Sequence, residues 1–126
     1  MDFKIDTRDT FSVITPVAES FTTEISDELA STIGGMRQSG SHNFIIDLHT
    51  CNNIEDTAAD SLVHMHEESY SMGHSLVFTG IKGKVLAALR DKEINEVINI
   101  APKMIEAIDI ISMEILERDL FDEEQA

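Results

Sequence analysis

The segment Ile54-Glu55-Asp56-Thr57-Ala58 places two carboxylates and a hydroxyl directly before a stretch with helical periodicity. A helix N-terminus offers unpaired backbone N–H groups and the positive end of the macrodipole, so an anion there gains about 0.3–1 kcal/mol. Read alone, Asp56 is a helix cap contributing about 1 kcal/mol. His64, His66 and Glu67 invite a metal reading. Residues two apart on a helix point in different directions, however, and helical metal pairs use the spacing of H-E-x-x-H, so no metal site is expected. Cys51 and His49 could be a nucleophile and base, but no neighbouring group supplies an oxyanion hole or a lowered thiol pKa. Neither a catalytic site nor a cofactor is expected. Gly80-Ile81-Lys82-Gly83-Lys84 lacks the spacing of a phosphate loop. With Arg90, Lys82 and Lys84 form the main local concentration of positive charge, read from the residues alone as a turn leading into a solvated helix face.

These groups must be positioned by a scaffold whose elements can be read from periodicity. Residues 3–8 and 11–17 read as two strands joined by a turn at Arg8-Asp9-Thr10, the second rich in β-branched residues. Ile25, Leu29, Ile33 and Met36 mark one buried face of a helix over 23–38. Phe44-Ile45-Ile46 is a nearly continuous apolar run, as in a central strand. A helix over 57–72 carries Ala58, Leu62, Met65 and Met72 on one stripe and stops at Gly73. Residues 75–79 form the next strand, 83–91 a short helix and 97–100 a last strand. Pro102 suits the first turn of the closing helix, whose stripe includes Met104, Ile105, Ile108, Ile111 and Ile115. The alternation predicts one α/β domain over 1–121 with a partly parallel sheet and right-handed crossovers, followed by an acidic, frayed tail over 122–126.

Composition narrows the function classes. The chain has 126 residues, 42% of them hydrophobic, with 24 acidic against 9 basic side chains and a formal net charge of −15. Phosphate backbones and anionic lipid surfaces repel such a protein, so neither nucleic acid binding nor membrane insertion is expected. A basic protein surface would attract it, although an acidic surface also serves solubility alone. No apolar run approaches the roughly 18–20 residues that cross a bilayer. The N-terminus lacks the basic start and apolar stretch of a signal peptide. The lone Cys51 fits a reducing compartment. Together these features predict a cytoplasmic protein.

Three stretches resemble the STAS family of anti-sigma factor antagonists. Phe44-Ile45-Ile46-Asp47-Leu48, followed after a loop by Ile54-Glu55-Asp56-Thr57-Ala58, is similar to that family's aliphatic strand ending in Asp-Leu and its Asp-Ser-Ser/Thr-Gly turn opening a helix. Leu76-Val77-Phe78-Thr79-Gly80-Ile81 resembles the strand and turn that follow. Ile94 through Leu120, with Ala107-Ile108-Asp109 and Met113 to Leu120, looks like the tail of a bacterial subgroup. The resemblance implies a STAS-like fold: a central mixed sheet of four or five strands with about four helices, mainly on one face.

It also implies a non-catalytic regulator of transcription whose signature serine is phosphorylated by an anti-sigma factor that is also a serine kinase. The unphosphorylated antagonist binds that partner, and phosphorylation breaks the complex. Carried onto this chain, Glu55 takes the acidic position, Asp56 the phosphoacceptor position, Thr57 the next hydroxyl and Ala58 the glycine. Asp56 has no hydroxyl, so the switch is degenerate here, and the resemblance leaves Thr57 as a displaced phosphoacceptor whose phosphate Glu55, Asp56 and Asp60 would repel. An aspartate carries one charge where a phosphoserine carries about −1.5 to −2. The resemblance places partner contacts at Thr22, Asp47, Glu55, Asp56 and Thr57. Because some members of the family are linked to nucleotide binding, the resemblance leaves open a nucleotide- or small-ligand sensor on the same fold, with an anion or nucleotide site at Lys82 and Lys84. Another reading is an accessory subunit whose closing helix and sheet edge make the contact. A homodimer is open.

Overall fold

The computed structural model describes residues 2–125; Met1 and the tail residue Ala126 lie outside them. Strands β1 (Phe3–Thr7) and β2 (Ser12–Pro16) form an antiparallel hairpin with Phe3 opposite Pro16 and Thr7 opposite Ser12. Its turn is closed by the Arg8 N–H donating to the Phe11 carbonyl at 2.8 Å. A two-residue strand, β3 (Ser20–Phe21), leads into helix α1 (Thr23–Gln38). Strand β4 (Phe44–Asp47) enters the middle of the sheet, and a second two-residue strand, β5 (Asn53–Ile54), precedes helix α2 (Asp56–Ser71). Then come β6 (Leu76–Thr79), helix α3 (Gly83–Asp91), a 3-10 turn at Ile94–Glu96, β7 (Ile100–Ala101) and helix α4 (Met104–Gln125).

The main sheet has five strands in the order β1-β2-β4-β6-β7, with every pairing after the first parallel. This is the mixed sheet the alternating pattern predicts. Because successive residues face opposite ways, the apolar runs of β4 and β6 supply two cores. Ile14, Phe44, Ile46, Leu76 and Phe78 face α1, α2 and α3. Val13, Ile45 and Val77 face α4, packing on Ala107 and Ile111. Three helices thus share one face and α4 alone covers the other.

Four local readings are corrected. The last strand lies at Ile100–Ala101 rather than 97–100, because Ile94 and Ile98 are drawn into the core beside α3 and the chain turns there first. Pro102 precedes the closing helix instead of sitting in its first turn. The acidic end continues α4 as helix through Glu124 to Gln125. The strands β3 and β5, unread in the sequence, pair parallel to each other as Ser20 opposite Asn53 and Phe21 opposite Ile54.

Candidate functional site at the α1 and α2 N-termini

The small β3–β5 pair decides where two helices begin. It brings Phe21 beside Ile54, and the Glu55 N–H donates to the Phe21 carbonyl at 3.0 Å. The chain leaves β3 into α1 and β5 into α2, so both N-termini open on one surface at the C-terminal side of the parallel strands. Thr22 is the N-cap of α1, its Oγ1 accepting the Ile25 N–H at 3.2 Å. Such a hydroxyl cap contributes about 1 kcal/mol.

Asp56 is not the cap of α2 that its spacing suggested. Glu55 occupies the cap position in an extended conformation, and Asp56 is the first helical residue. The Glu55 side chain does not cap its own helix either. It reaches across to α1, where Oε1 accepts the Thr23 N–H at 2.8 Å. A carboxylate therefore meets one of the unpaired donors at the positive end of α1. The Thr23 and Thr57 hydroxyls are hydrogen-bonded to each other, and one turn further Ser26 and Ser61 repeat the contact. Asp56 is exposed beside this seam, and its carboxylate has no hydrogen-bond partner among the described residues. One turn along, Asp60 pairs with Lys92 at 3.0 Å. The lysine pKa is raised chiefly by its hydrogen bond to Asp60, with a smaller pull from the charge of Asp56.

Asp47 has a different setting. At the end of β4, its Oδ1 accepts the His49 N–H at 3.0 Å and its Oδ2 meets His49 Nδ1 at 2.9 Å. The carboxylate lies against Gly80, where β6 ends with φ of 74°. A Cβ on Gly80 would fall 2.4 Å from Asp47 Oδ1 and 2.7 Å from the His49 nitrogen, so only glycine fits both the left-handed backbone and the close approach. Asp47 is mostly covered and shapes the loop. Thr50 continues that work, its hydroxyl donating to the Pro16 carbonyl.

The structure thus brings Thr22, Glu55, Asp56 and Thr57 onto one surface, while Asp47 is held against His49 and Gly80 at the end of β4. Lys82 and Lys84 line a separate cleft of about 460 Å³ with Glu19, Asn52, Asn53 and Gly83, at the start of α3. Cys51 is buried, and burial foremost raises its thiol pKa, the opposite of an activated nucleophile. His66 packs against Tyr70 with ring centroids 4.7 Å apart. Among the described residues no three His, Cys, Asp or Glu side chains cluster as a metal site would require. No helix among the described residues is long and apolar enough to cross a membrane.

The sequence reading missed Thr23, Ser26 and Ser61. Their only signal was a hydroxyl-rich start to each helix, and the partners lie 34 and 35 residues apart. It also missed a polar network at the far end of the sheet. There Glu114 of α4 accepts from the Tyr70 hydroxyl at 2.7 Å and the Ser75 hydroxyl at 2.6 Å, while Arg118 donates to Ser75 and Asn43. Burial and the Glu114 carboxylate push the Tyr70 pKa up to about 12.

Comparison with known proteins gives this geometry a family. A search of curated protein sequences found no match. Among solved structures, the chain is similar to an anti-sigma-factor antagonist (STAS) domain protein from Planctomyces limnophilus, at 16% identity over 89% of this chain and 99% of that one, with TM-score 0.74. It is also similar to the anti-sigma factor antagonist SpoIIAA in its unphosphorylated form, at 12% identity over 88% and 96% of the two chains, with TM-score 0.69. A sulfate transporter family protein from Wolinella succinogenes matches at 15% identity over 82% and 85%, with TM-score 0.69. At such identities the likeness is one of fold. The STAS domain family profile matches residues 3–107, which is most of the chain, and the protein belongs to the STAS domain family.

Proposed function

We propose that this chain is a non-catalytic regulatory protein that binds an anti-sigma factor with serine kinase activity, or a related regulator. The docking surface is the joined N-termini of α1 and α2, with Thr22, Glu55, Asp56 and Thr57 at its centre and Asp47 holding the loop after β4. The observation that carries the reading is the placement of Asp56: an exposed carboxylate at the first position of α2, unbonded, at the position the family resemblance assigns to the phosphoacceptor. Thr57 is a poor substitute acceptor. Its hydroxyl is bonded to Thr23, and Glu55 and Asp56 precede it in the chain. The chain then binds its partner constitutively, because a single small carboxylate supplies neither the charge nor the bulk with which a phosphate breaks such a complex.

Calorimetric titration of a candidate anti-sigma kinase tests the surface. Thr22→Arg and Asp56→Arg should each weaken binding at least ten-fold, while Lys84→Ala should leave it unchanged. Equal affinity for all four forms would sink the assignment.

The cleft beside α3 favours a second reading, a sensor that holds a nucleotide phosphate or other small anion on Lys82 and Lys84. Saturable binding of a nucleoside triphosphate, lost on changing both lysines to alanine, would support it over the first.

A further inference from the structure

We propose that the outward face of α4 is a second docking surface, built for a cationic amphipathic helix of a partner protein. The inward face of α4 is settled by Ala107 and Ile111 in the core and by Glu114 and Arg118 in the polar network with Tyr70, Ser75 and Asn43. These contacts fix the rotation of the helix. They leave Ile105, Met113, Leu116 and Leu120 pointing away from the sheet, each more than half exposed. At 100° per residue the four fall within an arc of about 80°, where a surface helix ordinarily carries polar groups. Apart from Ile105 the stripe lies beyond residue 107, where the family profile ends.

The rim of this stripe has one sign of charge. Glu106, Glu117 and Asp119 flank the stripe, Asp109 lies within its arc between Ile105 and Met113, and Glu123 lies just past Leu120; all five are exposed and make no ion pair among the described residues. Arg118 is the only Lys or Arg in α4, and it is turned inward. At one side an open cleft of about 270 Å³ is bounded by Tyr70, Phe121, Glu114, Glu117 and Arg118. An exposed aromatic ring beside the unpaired Glu117 is a seat for a lysine or arginine side chain.

An apolar stripe with acidic margins selects among occupants. A second copy would set acidic rim against acidic rim, because a two-fold interface uses the same patch on both subunits. An anionic lipid surface meets the same repulsion. A helix with apolar residues along one side and Lys or Arg flanking them satisfies both the stripe and its rim. This face lies across the sheet from α1 and α2, so both surfaces can be occupied together, and the proposal stands whether or not the α1–α2 surface binds a kinase.

The test uses the whole chain and a labelled designed peptide of about 16 residues, leucines on one side and lysines on the other, which as a helix spans the roughly 24 Å from Ile105 to Leu120. Saturable one-to-one binding is expected, weakened at least ten-fold by the Leu116→Glu/Leu120→Glu pair and weakened by added salt. Amide chemical-shift changes should be centred on α4 and the neighbouring Tyr70, and Thr22→Arg should bind as wild type does. The Leu116→Glu/Leu120→Glu protein should keep the wild-type unfolding midpoint, since both positions are exposed. Unaltered binding by that variant, shifts centred on α2, a dimer that the variant dissolves, or adsorption of the wild type to phosphatidylcholine vesicles would each overturn the proposal.

Discussion

Replacing Gly80 by alanine should be among the most damaging single-methyl changes in this protein. The residue has φ of 74°, and a left-handed non-glycine backbone costs about 1–2 kcal/mol. The new methyl would stand 2.4 Å from Asp47 Oδ1, so the carboxylate must swing away. That loses its hydrogen bond from the His49 N–H, about 1 kcal/mol. The contact with the His49 ring adds little, because the ring is largely exposed. The backbone nitrogen of His49 at 2.7 Å cannot yield as a side chain can, and moving it disturbs the loop toward α2. A total of about 3 kcal/mol follows, or roughly 10 °C in unfolding midpoint for a chain of this size. Urea and thermal unfolding of wild type, Gly80→Ala, Asp47→Ala and the double variant form the assay. The two changes should be non-additive by about 1 kcal/mol, since removing Asp47 removes part of the clash. A Gly80→Ala protein within 1 kcal/mol of wild type, or strict additivity, would refute the reasoning.

Other expectations follow from the same contacts. Glu55→Ala should cost about 1 kcal/mol in urea unfolding by stripping the Thr23 N–H of its carboxylate, and Thr22→Ala a similar amount by uncapping α1. Tyr70 is the only tyrosine and there is no tryptophan, so tyrosinate absorbance reports it alone. The folded chain should titrate near 12, against about 10 when unfolded. Because the folded pKa is the higher one, this contribution to stability is complete below pH 10 and fades as pH rises from 10 toward 12, and Tyr70→Phe should abolish that decline. Cys51 should resist alkylation in the native protein and react only on unfolding, given its burial and raised pKa; rapid native labelling would contradict its placement.

Much of this architecture was legible because it rests on local pattern. The Ile25-Leu29-Ile33 spacing gave α1, and the Phe44-Ile45-Ile46 run gave a central strand whose two faces feed two cores. What escaped depends on contacts distant in sequence. Two-residue strands such as Ser20–Phe21 carry no alternation to detect, yet their pairing with Asn53–Ile54 decides where α2 starts and so makes Glu55 rather than Asp56 its cap residue. Val97 and Ile98 have strand-forming side chains, but Ile98 is drawn into the core beside α3 and propensity loses to burial. The carboxylate of Glu55 on the neighbouring helix, and the lock that Glu114 and Arg118 place on α4, join residues at least 32 positions apart.

The central claim is that Asp56 stands where a phosphoacceptor would and leaves the chain in a permanently binding state. Its most direct test is the affinity of wild type and Asp56→Ser for a cognate anti-sigma kinase candidate, with and without ATP. The account predicts that wild type binds equally well in both conditions, whereas Asp56→Ser binds without ATP, becomes phosphorylated when ATP is added, and then dissociates. Failure of both forms to bind, or loss of wild-type binding on adding ATP, would contradict it.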